Sequence, residues 1–240
     1  MSVREFNGTS DRLVVDDGII GQLANGAFTL FLVVKWLTVS TGKIPICVEN
    51  GANEVAGLSD NNGTIRLALG DDNEFIDSSA TNIIAASTWS LAAITCTAAG
   101  ATPRFHGKTR GSGSWVHVNA SSTFTGNTID AAAVEFGSFN NGAFSSFWNG
   151  RLATAAVFNS ALSDGQLESI ETSPATLTVK GLGPIALWDF NQAAVGTAVT
   201  DLTGNGSDET TRSGTTVVDG DDPPGWTFGV VAMAPWMKAL

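Results

Sequence analysis

Hydrophobic positions along this chain fall into short runs separated by glycine-rich turns. Ala27 to Leu37, AFTLFLVVKWL, is apolar apart from Thr29 and Lys35 and predicts a buried strand. Ser87 to Thr97 and Leu152 to Phe158 read the same way, and the second is apolar enough to be packed on both sides. Around Asn7-Gly8 the segment Phe6–Val15 alternates and predicts an opening hairpin. Ile44–Glu49 and Glu54–Leu58 are expected to pair across Asn50-Gly51, with Thr64–Leu69 following Asn62-Gly63. Asn-Gly occurs seven times, a turn density that means an antiparallel all-β fold of many short strands.

Helix is expected at one place. After the strand ending at Phe158, Ser163 is a capping residue for a short helix whose Leu167 and Ile170 share a face. Asn149-Gly150, just before that strand, reads as a tight turn. Pro174–Pro184 reads as a linker by composition.

Composition narrows the classes. With 43% hydrophobic residues in 240, the chain can bury a large single core. Its 27 glycines and absence of Tyr accompany many Thr, Val and Ala, favouring strands and turns. A net charge of −11 argues against nucleic acid, which needs a basic surplus. MSVREFNGTS has no apolar core of a secretory signal, and no run is long enough for a membrane span. Cys47 and Cys96 sit in apolar strand-like runs and are expected to be buried free thiols.

The order of motifs resembles concanavalin A-like sandwiches of the laminin G and pentraxin type. The resemblance rests on the Phe6-Asn7-Gly8 opening, Phe28-Thr29…Trp36, Thr88-Trp89, PRFHG at 103–107, and the corner Phe158-Asn159-Ser160-Ala161-Leu162-Ser163 before the short helix. It implies a concanavalin A-like antiparallel β-sandwich, or jelly roll, over residues 1–228 with one short helix. The segment Leu187-Trp188-Asp189-Phe190…Asp201-Leu202-Thr203-Gly204-Asn205-Gly206, which often comes first in such modules, comes last here and is expected to close the same domain.

Candidate chemistry is sparse. Members of this family often hold Ca²⁺ near a glycine-rich acidic loop, and hard oxygen ligands at Asp201, Asn205 and Asp208 make that loop the candidate Ca²⁺ site; the same residues are ordinary Asx-turn material. Asp71–Glu74 reads as a solvated turn. His106 and His117 fall on adjacent expected strands, but with no third ligand apparent they read as strand residues. Sandwich glycosidases of this architecture carry an E-x-D-x-x-E strand, and no Glu here has Asp two positions later. A non-enzymatic role is expected.

Two such roles compete. The 187–226 segment resembles lectin-like proteins of tailed-phage virions, which implies a capsid decoration or minor tail protein, assembled in the host cytoplasm, that docks on other virion subunits and contacts glycans. The alternative is a soluble Ca²⁺-dependent carbohydrate-binding module, with Trp115 and Trp148 as sugar-stacking platforms. Residues 229–240 form an apolar arm, where Val231, Met233, Trp236, Met237 and Leu240 suit docking on another subunit or in a homo-oligomer. Trp36, Trp89 and Trp188 are expected in the core.

Overall fold

A computed structural model describes residues 2–16, 27–49, 54–69, 74–78, 84–98, 100–109, 114–124, 133–140, 144–170, 175–190, 197–219 and 221. Asn50-Gly51, Asp71–Asn73 and the apolar arm with Val231, Met233, Trp236, Met237 and Leu240 lie outside the described residues.

Seven strands come first: β1 (Ser2–Asn7), β2 (Arg12–Asp16), β3 (Phe28–Trp36), β4 (Lys43–Glu49), β5 (Glu54–Asn61), β6 (Thr64–Leu69) and β7 (Glu74–Asp77). The middle of the chain supplies β8 (Trp89–Cys96), β9 (Arg104–Thr109), β10 (Val116–Asn119), β11 (Ala133–Phe136), β12 (Phe139–Asn140), β13 (Phe144–Ser145) and β14 (Asn149–Phe158). Two short helices, α1 (Asp164–Ser169) and α2 (Ala175–Gly181), precede β15 (Ala186–Asp189), β16 (Glu209–Ser213) and β17 (Thr216–Asp219).

Fifteen of these strands make a two-sheet antiparallel sandwich, and β12 and β13 pair with each other. One sheet runs β10-β9-β8-β3-β14-β1-β17, with β15 also paired to β14; the other runs β16-β2-β11-β4-β5-β6-β7. The last three strands add to both sheets: β15 and β17 to the first, β16 to the second. This is the concanavalin A-like architecture, with a second helix beyond the one expected.

Strand sequences show why β3, β8 and β14 hold the centre. Successive side chains of a strand point to opposite faces. In β3, Phe28, Leu30, Leu32, Val34 and Trp36 enter the core between the sheets, while Phe31 and Val33 enter a second apolar cluster on the outer face. That second cluster is completed by Leu162, by Leu167 of α1 and its C-cap Ile170, and by Val179 of α2. A continuous apolar run is therefore what a strand covered on both faces requires.

Three local expectations are corrected. Phe6–Val15 is not a hairpin: β1 pairs with β14 and β17, whereas β2 pairs with β11 and β16 in the other sheet. Asn7 turns the chain between the sheets, its Oδ1 accepting from the backbone N–H of Thr9 (2.8 Å), Ser10 (3.0 Å) and Asp11 (3.3 Å), while Asp11 Oδ2 accepts from Asn7 N (3.0 Å). Asn149-Gly150 is strand, in register with Asn7 and Phe6, because the β1 partner takes its backbone groups. Residues 175–181 are helix rather than linker; their local propensity is poor, and burial of Val179 in the outer cluster supplies what propensity lacks. Asn62-Gly63, by contrast, is the tight turn the sequence predicts, with both φ positive (53° and 91°) between the paired ends of β5 and β6.

The two thiols are buried and unbridged, Cys47 on β4 and Cys96 on β8. Trp36, Trp89 and Trp188 are in the core, as expected. Among the described residues no helix is long and apolar enough to cross a membrane.

Packing near Gly137 gives a test of the core. Its φ is +83°, and a Cβ there would overlap the Phe6 ring. Gly137→Ala should therefore destabilise by about 2 kcal/mol or more, since it adds overpacking to backbone strain. Gly165 in α1 has open space where a Cβ would go. Gly165→Ala should leave stability unchanged or raise it by up to about 1 kcal/mol. Urea midpoints of the two variants check the contrast.

Candidate functional site

A polar patch breaks the apolar outer face of the first sheet, at the edge made by β8, β9 and β10. Period-two alternation puts Arg104 and His106 of β9 on the same face, and likewise His117 and Asn119 of β10. His106 and His117 are direct cross-strand partners. Thr95 of β8 completes the strand side.

The corner after β14 brings α1 over this edge. Thr29, buried in β3, donates from Oγ1 to the Ser160 carbonyl (2.7 Å) and accepts from Leu162 N (2.9 Å). Ser163 then caps α1: Oγ accepts from Gln166 N (3.3 Å) and Ser163 N donates to Gln166 Oε1 (2.9 Å), a capping box. Fixed at both points, the first turn presents Asp164 and, one turn on, Glu168 to the strands.

The resulting contacts are close. His106 Nδ1 and His117 Nδ1 are 2.7 Å apart. Asp164 Oδ1 stands 3.7 Å from the first and 3.6 Å from the second. Outer partners hold both rings: His106 Nε2 meets Thr95 Oγ1 at 2.9 Å, and His117 Nε2 meets Glu168 Oε1 at 3.1 Å. Arg104 Nη2 donates to Asp164 Oδ2 (2.6 Å), which turns Oδ1 toward the imidazoles. Trp115 stacks on the His117 ring, 5.8 Å between centroids and 8° between planes. Burial, then the facing His117, then Arg104 push the His106 pKa down to about 3, so its imidazole is neutral at physiological pH. His106, His117 and Asp164 together could hold a metal ion.

Beside this cluster the surface opens into a cleft of about 570 Å³. Thr95, Thr97, Thr102, Arg104, Asn119 and Asp164 supply its polar wall; Ala161 and Leu162 supply an apolar side. Hydroxyl, amide, guanidinium and carboxylate groups thus converge where Asp164 joins the cleft to the histidine pair.

Other sequence-predicted positions have different work. Trp148, read as a sugar platform, is fully buried between Phe6 (5.5 Å) and Trp36 (6.2 Å), so no ring face reaches solvent. Trp115 is 9% exposed, with one face given to His117. The 201–208 loop, with the candidate Ca²⁺ ligands Asp201, Asn205 and Asp208, fastens to β15. Asp201 Oδ1 accepts from Leu187 N (3.0 Å) and Thr203 N (2.9 Å), and Oδ2 from Thr203 Oγ1 (2.6 Å) and Asn205 N (3.2 Å). Asn205 Nδ2 donates to the Ile185 carbonyl (2.8 Å), and Asp208 Oδ1 accepts from Asp201 N (2.8 Å). Donors already crowd the Asp201 carboxylate, and Trp188 Nε1 closes the loop on the Ser207 carbonyl (2.6 Å).

Asp164 is the residue that sequence reasoning missed. It was visible as the first helical residue after a cap, but nothing local says that the corner swings it onto β9 and β10. The spacing of Asp164 and Glu168, four apart on one helix face, is the signal that was available.

No protein-family model matches this sequence, and no curated protein matches it in sequence. Solved structures do match in shape. A candidate carbohydrate-binding protein from Bacteroides ovatus superposes with a TM-score of 0.61 at 13% identity, covering 92% of this chain and 60% of that one. The chain thus spans three fifths of that protein's length. NanB sialidase of Streptococcus pneumoniae gives 0.54 at 14% identity, over 71% of this chain and 27% of the enzyme. Tailspike protein 2 of an Escherichia coli O157:H7 bacteriophage gives 0.51 at 14%, over 76% of this chain and 25% of that one. The fold is that of the concanavalin A-like lectin/glucanase β-sandwich.

The low pKa of His106 sets a pH dependence. In the unfolded chain this imidazole takes a proton below about pH 6.5, whereas the folded one waits until about 3. The stability it contributes is complete above pH 6.5 and is lost as pH falls toward 3, by at most about 1.4 kcal/mol per unit. The measurement belongs between pH 7 and about 5, where this loss begins. Urea unfolding should show this acid slope in the natural protein and a flatter one in His106→Gln. Equal slopes would count against it.

Proposed function

We propose that this chain is a non-enzymatic carbohydrate-binding module whose binding site is the cleft between β8–β10 and α1. The observation that carries the reading is the wall chemistry. A sugar hydroxyl both gives and takes a hydrogen bond, and Arg104, Asn119, Thr102 and Asp164 offer donors and acceptors side by side. The volume of about 570 Å³ lies within the usual range for small-ligand sites, about 300–1,000 Å³. Likeness of fold to the Bacteroides ovatus protein supports the same reading.

Recognition here is polar. Arg104 is held by Asp164, so its guanidinium is oriented before a ligand arrives, which lowers the cost of ordering it. Leu162 and Ala161 give the apolar side against which a ring's C–H face would rest. Stacking on an exposed Trp is not part of this proposal, because Trp148 is core and Trp115 is committed to His117.

A narrower second reading places the module on a phage virion, as the sequence resemblance implies, contacting host-surface glycans and other virion subunits. The likeness of fold to a phage tailspike supports it. Immunogold labelling of particles from the source would separate the two readings.

A glycan array with the full chain tests the main proposal. It should show saturable binding to a defined sugar group, weakened roughly tenfold to a hundredfold by Arg104→Ala, the range of a lost charged hydrogen bond. Asn119→Ala should weaken it less. An array without signal, or binding that neither variant alters, would remove the cleft from consideration.

A further inference from the structure

The geometry points to a binding site for one divalent transition ion of the zinc class, held by His106 Nδ1, His117 Nδ1 and Asp164 Oδ1. The three atoms form a triangle with sides of 2.7, 3.6 and 3.7 Å. A point equidistant from them lies about 2 Å from each, the length of Zn–N and Zn–O bonds. Two imidazoles and a carboxylate are a zinc-type donor set, whereas Ca²⁺ takes six or more oxygens.

The surroundings are those of a ligand set. Metal-binding histidines have their second nitrogen held by an outer group, which fixes ring orientation and tautomer. Here both do: His106 Nε2 by Thr95 Oγ1 and His117 Nε2 by Glu168 Oε1. The carboxylate is held in the same way, with Arg104 on Oδ2 and Oδ1 turned inward. Trp115 fixes the His117 plane from the other side. His106 is fully buried and Asp164 is 39% exposed, so the ion would enter from the Asp164 side, where a fourth position is open to water.

Binding asks for a small rearrangement. Tetrahedral zinc sets its ligands about 3.3 Å apart, so the Nδ1 atoms must part by about 0.6 Å while the Asp164 legs close slightly. The hydrogen now shared between the Nδ1 atoms must also move. With the His106 proton on Nε2, donated to Thr95, both Nδ1 lone pairs face the ion, and the charge of each ring is unchanged. The ion would replace one hydrogen bond with three bonds joining β9, β10 and α1.

Untagged full-length protein should bind one Zn²⁺ per chain by calorimetry and melt at a higher temperature in its presence, because an ion that binds the folded state stabilises it. Co²⁺ as probe should give the intense visible bands of a tetrahedral site, and Ca²⁺ should give neither heat nor shift. Glu168→Ala, which removes only an outer partner, should weaken Zn²⁺ about tenfold to a hundredfold. His117→Ala and Asp164→Ala should lose the Co²⁺ bands altogether. Asp164 is surface-exposed, so its variant reads the site even if His117→Ala fails to fold. The proposal is overturned by natural protein that shows no saturable Zn²⁺ heat and no Co²⁺ bands, or by one-to-one binding that Asp164→Ala and Glu168→Ala both leave intact. The Co²⁺ spectrum reports the ion alone and is independent of any glycan.

Discussion

Double burial of β3, β8 and β14 is the constraint that organises this molecule. A strand with apolar side chains on both faces cannot stand at the surface of a two-layer sandwich unless something covers its outer side. Phe31, Val33, Leu91, Ala93, Ala156 and Phe158 make that demand. The chain meets it immediately after β14, with Leu162, Leu167 and Ile170, and then with Val179. Position of α1 is thus a packing outcome, and the polar groups on its other side go where packing takes them. The histidine pair, Asp164 and the cleft all follow from that placement.

Much of this was legible. Strand runs, the Asn62-Gly63 turn, the Ser163 cap and the buried tryptophans each follow from local pattern, because the physics that fixes them acts within a few residues. What the sequence hid is long-range. That β1 and β2 belong to different sheets depends on which edges remain for pairing, and the alternating pattern of Phe6–Val15 suits a hairpin and a crossing equally well. Residues 175–181 lack the propensity of a helix and acquire it from a neighbour. Trp148 sits in a glycine-rich stretch that reads as exposed, yet the glycine beside it is what lets the indole lie close: a Cβ on Gly150 would overlap its ring.

The Asp201–Asp208 loop shows how one motif admits two roles. Acidic residues and glycines in a tight loop suit a cation and suit an Asx-turn equally in composition. Only partner geometry separates them. Here Asp201 spends its oxygens on Leu187, Thr203 and Asn205, fastening β15 to the loop. The histidines show the converse: the third group that sequence spacing does not offer, Asp164, stands on a helix more than forty residues away.

The row of groups from Thr95 through His106 and His117 to Glu168 has a further property. Contacts of 2.9, 2.7 and 3.1 Å run from the interior of the sheet to the surface without a break. With one hydrogen on each ring, a carboxylate at the outer end, which only accepts, requires His117 to carry its hydrogen on Nε2. His106 must then donate from Nδ1, and Thr95 must point its hydroxyl hydrogen inward to His106. The row therefore has a polarity, written from the outside in by one surface carboxylate. Neutralising Glu168 would free the direction of every hydrogen behind it, down to Thr95 at the inner end of the row.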